Sequence, residues 1–161
     1  METIAQPQIF CVEDDKMYQG LIENELVKKG YENISMFSSG KTFIDNLYKM
    51  PDIVFLDYSL EEEFTGIDLL RKVKSFNPDI QVIMLSGQEN MEVAVNSLKY
   101  GAYDYVIKND FAYRRISTLI GRICKWNTML KRSKQLKRTE RGIFLALGLV
   151  VAAAAVFSFM Y

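Results

Sequence analysis

Short apolar segments alternate with helical patterns along most of this chain, and no other feature constrains the fold as strongly. Continuous apolar runs occupy residues 9–12, 53–56, 82–85 and 105–107, with a weaker run at 34–37. Continuous rather than alternating apolarity is typical of parallel strands that are covered on both faces. Between the runs, apolar residues recur at helical spacing, as at Tyr18, Leu21, Ile22 and Leu26. The order predicts an α/β protein, a (βα)5 doubly wound parallel sheet with right-handed crossovers.

Polar side chains follow four of the predicted strands. Glu13 and Asp14 come after the first strand, Asp57 after the third, Ser86 after the fourth and Lys108 after the fifth. In doubly wound sheets these strand ends meet at one edge, where ligands bind. Carboxylates that crowd together favour a cation among them, and oxygen ligands favour Mg²⁺. With a hydroxyl and a lysine added, this edge of the sheet can bind a phosphoryl group. An aspartate there can act as the nucleophile that attacks the phosphoryl group and forms an acyl phosphate.

Each of these residues also has a simpler interpretation when it is taken alone. Asp14 or Asp15 could act only as the N-cap of the next helix, and Ser86 could do the same. Asp57 could be a turn residue, and Lys108 could be a solvated charge. The interpretation as one site depends on compatible chemistry at four strand ends together.

Five segments of the sequence resemble the receiver domain of bacterial response regulators, over about residues 1–126. In order they read IFCVEDD, DIVFLDYSL, GIDLLRKVK, QVIMLSG and GAYDYVIK. The resemblance implies a flavodoxin-like fold and a Mg²⁺-dependent reaction in which Asp57 accepts a phosphoryl group from a histidine kinase or a phosphotransfer protein. It implies a phosphoacceptor with autodephosphorylation, and not an enzyme with a separate substrate.

The resemblance also implies a role for each residue of the site. Asp14 and Asp57 would ligate Mg²⁺ directly, Glu13 would act through water, and Ser59 would contribute its backbone carbonyl.

Three further roles follow from the same resemblance. Ser86 would hydrogen-bond the phosphoryl group, and Lys108 would pair with it. Tyr105 would be an aromatic switch that turns inward on activation. An ordinary half-buried strand aromatic is the alternative interpretation of Tyr105.

Two positions depart from the family's pattern. Asn109 follows Lys108 where the family usually has proline, and the loop between Asp57 and Gly66 has one extra residue within the acidic run at 61–63. Neither change removes a chemical group of the site. Both favour an alternative function, a phosphorylation-independent, membrane-tethered scaffold with a receiver-like fold.

The segment 143–161 contains no charged residue and follows a basic segment. As a helix it spans roughly 28 Å, close to the hydrocarbon thickness of a bilayer. We expect a receiver domain at 1–126, a basic helical stalk at 127–142 and a C-terminal transmembrane helix at 143–161. Since basic flanks stay in the cytoplasm, a single-pass, tail-anchored protein with its receiver domain in the cytoplasm is expected. A buried core helix or an oligomer seam is the alternative interpretation.

Residue content and charge exclude several classes of function. The chain has no histidine, which excludes a Ser-His-Asp triad, a histidine base and a His-ligated zinc site. Cys11 and Cys124 lack the spacing of a cysteine metal site. Residues 1–124 hold 13 Lys or Arg and 19 Asp or Glu, and this acidic excess disfavours nucleic acid as a partner.

Apolar residues continue beyond the fifth strand with spacings of three and four, at Ile116, Leu119, Ile123, Trp126 and Leu130. The later positions fit either a short coiled-coil seam in a homodimer or one long helix whose apolar stripe fades. We expect no DNA-binding domain. Output would then depend on contacts of the fourth and fifth helices with a downstream protein, which the sequence does not identify.

Overall fold

A computed structural model describes residues 6–60, 64–87 and 90–160 of the chain, with five strands and five α-helices among them. The strands are β1 (Ile9–Val12), β2 (Ile34–Phe37), β3 (Ile53–Asp57), β4 (Gln81–Ser86) and β5 (Asp104–Ile107). The helices are α1 (Lys16–Lys28), α2 (Gly40–Asn46), α3 (Gly66–Phe76), α4 (Met91–Lys99) and α5 (Ala112–Met160), and a 3₁₀ turn covers Leu47–Lys49.

The strands form one parallel sheet in the order β2-β1-β3-β4-β5. The predicted α/β fold with a five-stranded parallel sheet is confirmed. The chain leaves β1 toward one edge of the sheet to form β2, and it returns to the other side of β1 to form β3. This reversal creates a crevice at the carboxyl ends of β1 and β3. In the register, Val12 lies beside Leu56, so the residues that follow these two reach the same edge.

The sheet is buried on both faces, which explains why its strands are continuously apolar. All four residues of β1 and all five of β3 are buried. Successive strand residues point to opposite faces. One cluster of buried side chains joins alternate strand residues to α2 and α3, and it includes Phe10, Val12, Val54, Leu56, Phe43, Leu69, Leu70 and Val73.

Side-chain caps determine where two helices beside the crevice begin. Asp15 caps α1, because its carboxylate accepts hydrogen bonds from the backbone N–H groups of Met17 at 2.8 Å and Tyr18 at 3.3 Å. Of the two aspartates considered for this role, Asp15 is therefore the cap. A capping box between Thr65 and Asp68 starts α3.

The helix α5 spans the boundary between two compact units, Met1–Ile123 and Cys124–Tyr161. In the second unit, Trp126 and Leu130 are exposed. A homodimer through this segment stays a prediction. The predicted bounds of the receiver domain, the stalk and the tail also stay predictions.

The predicted membrane localisation is wrong, because no helix in the part of the chain that the structure describes is both long enough and apolar enough to cross a membrane. The prediction depended on the apolar composition and the length of residues 143–161. In the structure, residues 143–160 are the last part of a single helix that runs from Ala112 to Met160. Side chains at 143–147 and 149–160, and all of residue 161, lie outside the described residues.

Candidate functional site

Three carboxylates meet at the crevice between β1 and β3. Glu13 and Asp14 directly follow β1, and Asp57 is the last residue of β3. One oxygen from each of these side chains lies within 4.8 Å of the others. Glu13 is fully buried and Asp57 is 3% exposed. The structure therefore brings together the three acidic residues that the sequence placed in one cation site.

Lys108, immediately after β5, bridges two of these carboxylates. Its Nζ lies 2.7 Å from Oε2 and 2.9 Å from Oε1 of Glu13, and 3.0 Å from Oδ1 of Asp57. The backbone N–H of Lys108 donates to the carbonyl of Ser86 at 2.7 Å, which fixes the end of β5 beside the end of β4. Ser86 is 2% exposed at this strand end. Lys108 and Ser86 thus lie at the edge where the sequence placed them.

Burial and charge act against each other in this cluster. Burial raises the pKa of Glu13 to about 7, with a further rise from the charge of Asp57, although the hydrogen bond from Lys108 lowers it. Burial alone would lower the pKa of Lys108. The hydrogen bond to Glu13 and the charges of Asp57 and Glu13 outweigh that effect and raise its pKa. The lysine is therefore held as an ammonium ion between two acidic groups.

The carboxylate cluster has the donors that a divalent cation requires. Oε2 of Glu13 and Oδ1 of Asp57 are buried, and among the described residues neither has a partner with hydrogen-bond geometry, although both lie within ion-pair distance of Lys108. Buried carboxylate oxygens normally have hydrogen bonds. A site in which every donor is an oxygen, and in which two buried oxygens lack hydrogen bonds from the described residues, fits Mg²⁺.

Backbone contacts hold the loop that follows Asp57 against the sheet. The N–H of Tyr58 donates to the carbonyl of Leu85 at 2.8 Å, and the N–H of Gly66 donates to the carbonyl of Tyr58 at 3.3 Å. Ser59 lies exposed in this loop, and its role as a backbone-carbonyl ligand stays a prediction. The acidic run at 61–63 lies outside the described residues.

Asn109 forms the turn that starts α5. Its side-chain oxygen accepts from the N–H of Phe111 at 3.0 Å, and its own N–H donates to the carbonyl of Ile107 at 3.0 Å. A proline at this position would supply neither contact. The departure from the family's usual residue therefore has a local structural reason.

Tyr105 lies on β5 and is 9% exposed, within the buried cluster described above. Its predicted role as a switch stays a prediction.

One aromatic contact of the site was not predicted. The ring centroid of Tyr18 lies 4.7 Å from Nζ of Lys108, and the Tyr18 ring stacks on that of Tyr113 with centroids 6.2 Å apart. The sequence placed Tyr18 only on the apolar face of α1. No local pattern could have located this contact, because Tyr18 and Lys108 are far apart in the chain.

Comparisons with known proteins agree with this geometry. The nitrogen assimilation regulatory protein NtrX of Azorhizobium caulinodans is 32% identical over 101 residues, 62% of this chain and 22% of that protein. The regulatory protein LuxO of Vibrio vulnificus strain YJ016 is 32% identical over 98 residues, 60% of this chain and 21% of that protein. The chain thus spans about a fifth of the length of these relatives.

A solved structure shows the same fold. The receiver domain of NtrX from Brucella abortus superposes with a TM-score of 0.67 and 28% identity, and the match covers 73% of this chain and 98% of that domain. Residues 9–120 match the family described as "Response regulator receiver domain". With the fold, the acidic cluster and this match in agreement, the chain belongs to the response regulator receiver domain family.

Proposed function

We propose that this chain is a phosphoacceptor in two-component signalling, in which Asp57 receives a phosphoryl group from a histidine kinase or a phosphotransfer protein. The donor histidine lies outside this sequence, which has no histidine. The chain acts as a signalling protein that also loses its phosphoryl group to water, and it has no separate substrate.

One observation carries the proposal: Lys108 Nζ lies 3.0 Å from Oδ1 of Asp57 and 2.7 Å from Oε2 of Glu13. An ammonium ion in this place offsets the negative charge of an incoming phosphoryl group, which would otherwise be repelled by the carboxylates. Lys108 already lies beside Asp57, so its ammonium group is close to the carboxylate that would accept the phosphoryl group.

The transfer exchanges one bond to phosphorus for another. An oxygen of Asp57 bonds to phosphorus as the bond between phosphorus and the donor's imidazole nitrogen breaks, and the imidazole keeps that electron pair and takes up a proton. Lys108 pairs with the phosphoryl oxygens, and the hydroxyl of Ser86 donates a hydrogen bond to them. Hydrolysis of the resulting acyl phosphate returns the carboxylate and releases phosphate.

Glu13, Asp14 and Asp57 would hold Mg²⁺, with the backbone carbonyl of Ser59 as a further ligand. When bound, Mg²⁺ supplies positive charge that offsets the charge of the phosphoryl oxygens. The two buried carboxylate oxygens without hydrogen bonds support this assignment.

The output is a change in protein contacts. On α4, Met91, Val95 and Leu98 follow helical spacing and are 81%, 56% and 49% exposed. This apolar stripe supports a docking role for the α4 side of the domain. Tyr105 on the neighbouring β5 would couple the stripe to the phosphorylation site by turning inward.

Intact-mass spectrometry after incubation with acetyl phosphate and Mg²⁺ tests the proposal. The wild-type protein should gain the mass of one phosphoryl group, and the Asp57→Asn variant should not. The matched control is Asp15→Asn, which removes a carboxylate from the same loop but keeps a good helix cap. This variant should be phosphorylated like the wild type.

A scaffold that works without phosphorylation predicts the opposite result. The wild type would then gain no mass with acetyl phosphate, or the gain would persist in Asp57→Asn. Either result would overturn the assignment of Asp57 as the phosphoacceptor.

A further inference from the structure

The ammonium group of Lys108 contacts two kinds of partner. On one side are the carboxylates of Glu13 and Asp57, at 2.7 Å and 3.0 Å. The aromatic ring of Tyr18 also approaches it, with Nζ 4.7 Å from the ring centroid. This distance is within the range of about 6 Å over which a cation is attracted to an aromatic face. The side chain of Lys108 is only 15% exposed, so water screens this contact weakly.

The carboxylate partners change during the proposed reaction, whereas the aromatic partner does not. A divalent cation and a phosphoryl group would both draw on the oxygens of Glu13 and Asp57 that now face Lys108. An aromatic ring neither ligates Mg²⁺ nor carries a charge. Tyr18 can therefore keep its contact with Lys108 while Glu13 and Asp57 exchange their contacts with Lys108 for contacts with the cation and the phosphoryl group.

The Tyr18 ring is itself supported by a second ring. Tyr18 lies on α1 and Tyr113 on α5, and their rings stack at an interplanar angle of 29° with centroids 6.2 Å apart. Both residues are only partly exposed. The stack limits the directions in which the Tyr18 ring can turn away from Lys108.

We propose that Tyr18 is a positioning residue for Lys108: its ring, supported by Tyr113, holds the ammonium group beside Asp57 while the carboxylates change partners. The inference rests on the proposed function, since it concerns the lysine that would meet the phosphoryl group.

The ring rather than the hydroxyl of Tyr18 performs this role. The hydroxyl oxygen is buried, and it has no hydrogen-bond partner among the described residues. Burial, with the neighbouring Tyr113 and Glu13, raises the pKa of Tyr18 above its ordinary range, so the hydroxyl stays neutral. A buried hydroxyl without a partner lowers stability. Tyr18→Phe should therefore keep the function and be at least as stable as the wild type.

The first experiment observes the ammonium group directly and needs no phosphorylation. NMR of protein labelled with ¹⁵N-lysine, with the Lys108 signal assigned by Lys108→Arg, should show ammonium protons shifted to lower frequency by the aromatic ring. The shift should persist in Tyr18→Phe and disappear in Tyr18→Leu. Loss of the shift in both variants, or in neither, would overturn the proposal.

The second experiment measures phosphorylation by acetyl phosphate with Mg²⁺. We expect Tyr18→Leu to lower the second-order rate constant roughly tenfold, in line with a desolvated cation–π contact, and Tyr18→Phe to keep it within about twofold of the wild type. Tyr113→Leu, which removes only the supporting ring, should lower the rate constant less. The matched control is Tyr48→Leu, which removes an exposed ring 5.9 Å from the ammonium of Lys49 and should change nothing.

The two proposals fail in different ways. If the wild type is not phosphorylated, the proposed function fails, and the NMR experiment still tests the contact between Tyr18 and Lys108. If the wild type is phosphorylated and Tyr18→Leu reacts at the same rate, the positioning role is wrong and the proposed function stands. If Tyr18→Leu does not fold, Tyr113→Leu replaces it in the test, because loss of the supporting ring should also lower the rate constant for phosphorylation.

Discussion

The backbone of Gly66 lies directly against the carbonyl oxygen of Asp57, so a side-chain carbon at position 66 would overlap that oxygen. Such a carbon would also lie 2.8 Å from Cα of Tyr58. Gly66 is the first residue of α3, and its lack of a side chain lets the helix start close to the end of β3. The glycine thereby helps to place the backbone of the proposed phosphoacceptor.

Replacing this glycine should disturb both stability and phosphorylation. Gly66→Ala forces the loop after Asp57 to move, and overpacking of this kind lowers the free energy of unfolding by about 1–3 kcal/mol. Urea unfolding and phosphorylation by acetyl phosphate would measure the two effects. The control is Gly20→Ala within α1, where nothing lies within 4 Å of the added carbon. That substitution should raise stability by about 0.5–1 kcal/mol, and a similar gain for Gly66→Ala would contradict the packing argument.

Removing the charge of Lys108 should have opposite effects on Mg²⁺ binding and on phosphoryl transfer. In Lys108→Met the ammonium no longer competes for Glu13 and Asp57, so we expect Mg²⁺ to bind at least roughly tenfold more tightly, equal to about 1.4 kcal/mol. Phosphorylation should slow, because the charge that faces the phosphoryl group is lost. Isothermal titration and the phosphorylation assay would test these effects.

A surface lysine provides the matched control for that variant. Lys28 pairs with Glu25 at 2.9 Å on the exposed face of α1, and exposed pairs contribute little. Lys28→Met should leave Mg²⁺ binding and phosphorylation unchanged. Weaker Mg²⁺ binding by Lys108→Met would show that Lys108 does not compete with the cation.

The capping box of α3 should make stability depend on acid pH. The pKa of Asp68 lies below its ordinary value of 3.8, because the side chain and backbone of Thr65 donate hydrogen bonds to its carboxylate. Because the pKa of Asp68 is lower in the folded protein than in the unfolded chain, the carboxylate stabilises the fold at any pH above its pKa in the unfolded chain. This stabilisation is lost as the pH falls through the pKa of Asp68 in the folded protein.

The Asp68→Asn variant tests this pH dependence. It should unfold at lower urea concentration than the wild type at neutral pH, and the difference should shrink as the carboxylate is protonated at strongly acid pH. Asp45→Asn, on an exposed position of α2, serves as the control. A difference between Asp68→Asn and the wild type that does not change with pH would contradict the role of the carboxylate.

The two cysteines should differ in reactivity. Cys11 on β1 is fully buried, and burial raises the pKa of its thiol well above the ordinary range. Cys124 is only partly buried. Because the thiolate is the reactive form, iodoacetamide should label Cys124 in the folded protein and Cys11 only after unfolding. Peptide mass spectrometry would identify the labelled residues, and rapid labelling of Cys11 in the folded protein would show that β1 is not buried as described.

The sheet could be predicted from the sequence because its strands are buried on both faces. Residues 9–12 and 34–37 coincide with β1 and β2. The other three strands include polar end residues, namely Gln81, Ser86, Asp57 and Asp104, which belong to the sheet but do not continue an apolar run. Hydropathy therefore located every strand and missed some of the ends.

The acidic part of the site could be predicted for a similar reason, since parallel strands carry the residues after them to one edge. The identity of the α1 cap depended on loop geometry, and hydropathy does not distinguish Asp14 from Asp15. The contact between Tyr18 and Lys108 depends on how α1 is rotated against the end of β5, which no local pattern specifies. The membrane prediction depended on the hydropathy of residues 143–161 alone, and it was wrong, because no helix among the described residues is long and apolar enough to cross a membrane.

The most direct test of the central claim is to identify the atom that carries the phosphoryl group. After reaction with acetyl phosphate and Mg²⁺, borohydride reduction converts an acyl phosphate to an alcohol, and peptide sequencing by mass spectrometry locates the reduced residue. We expect reduction at position 57 alone, dependent on Mg²⁺ and absent from Asp57→Asn. Reduction at another carboxylate of the cluster, such as Glu13 or Asp14, or no reduction at all, would contradict it.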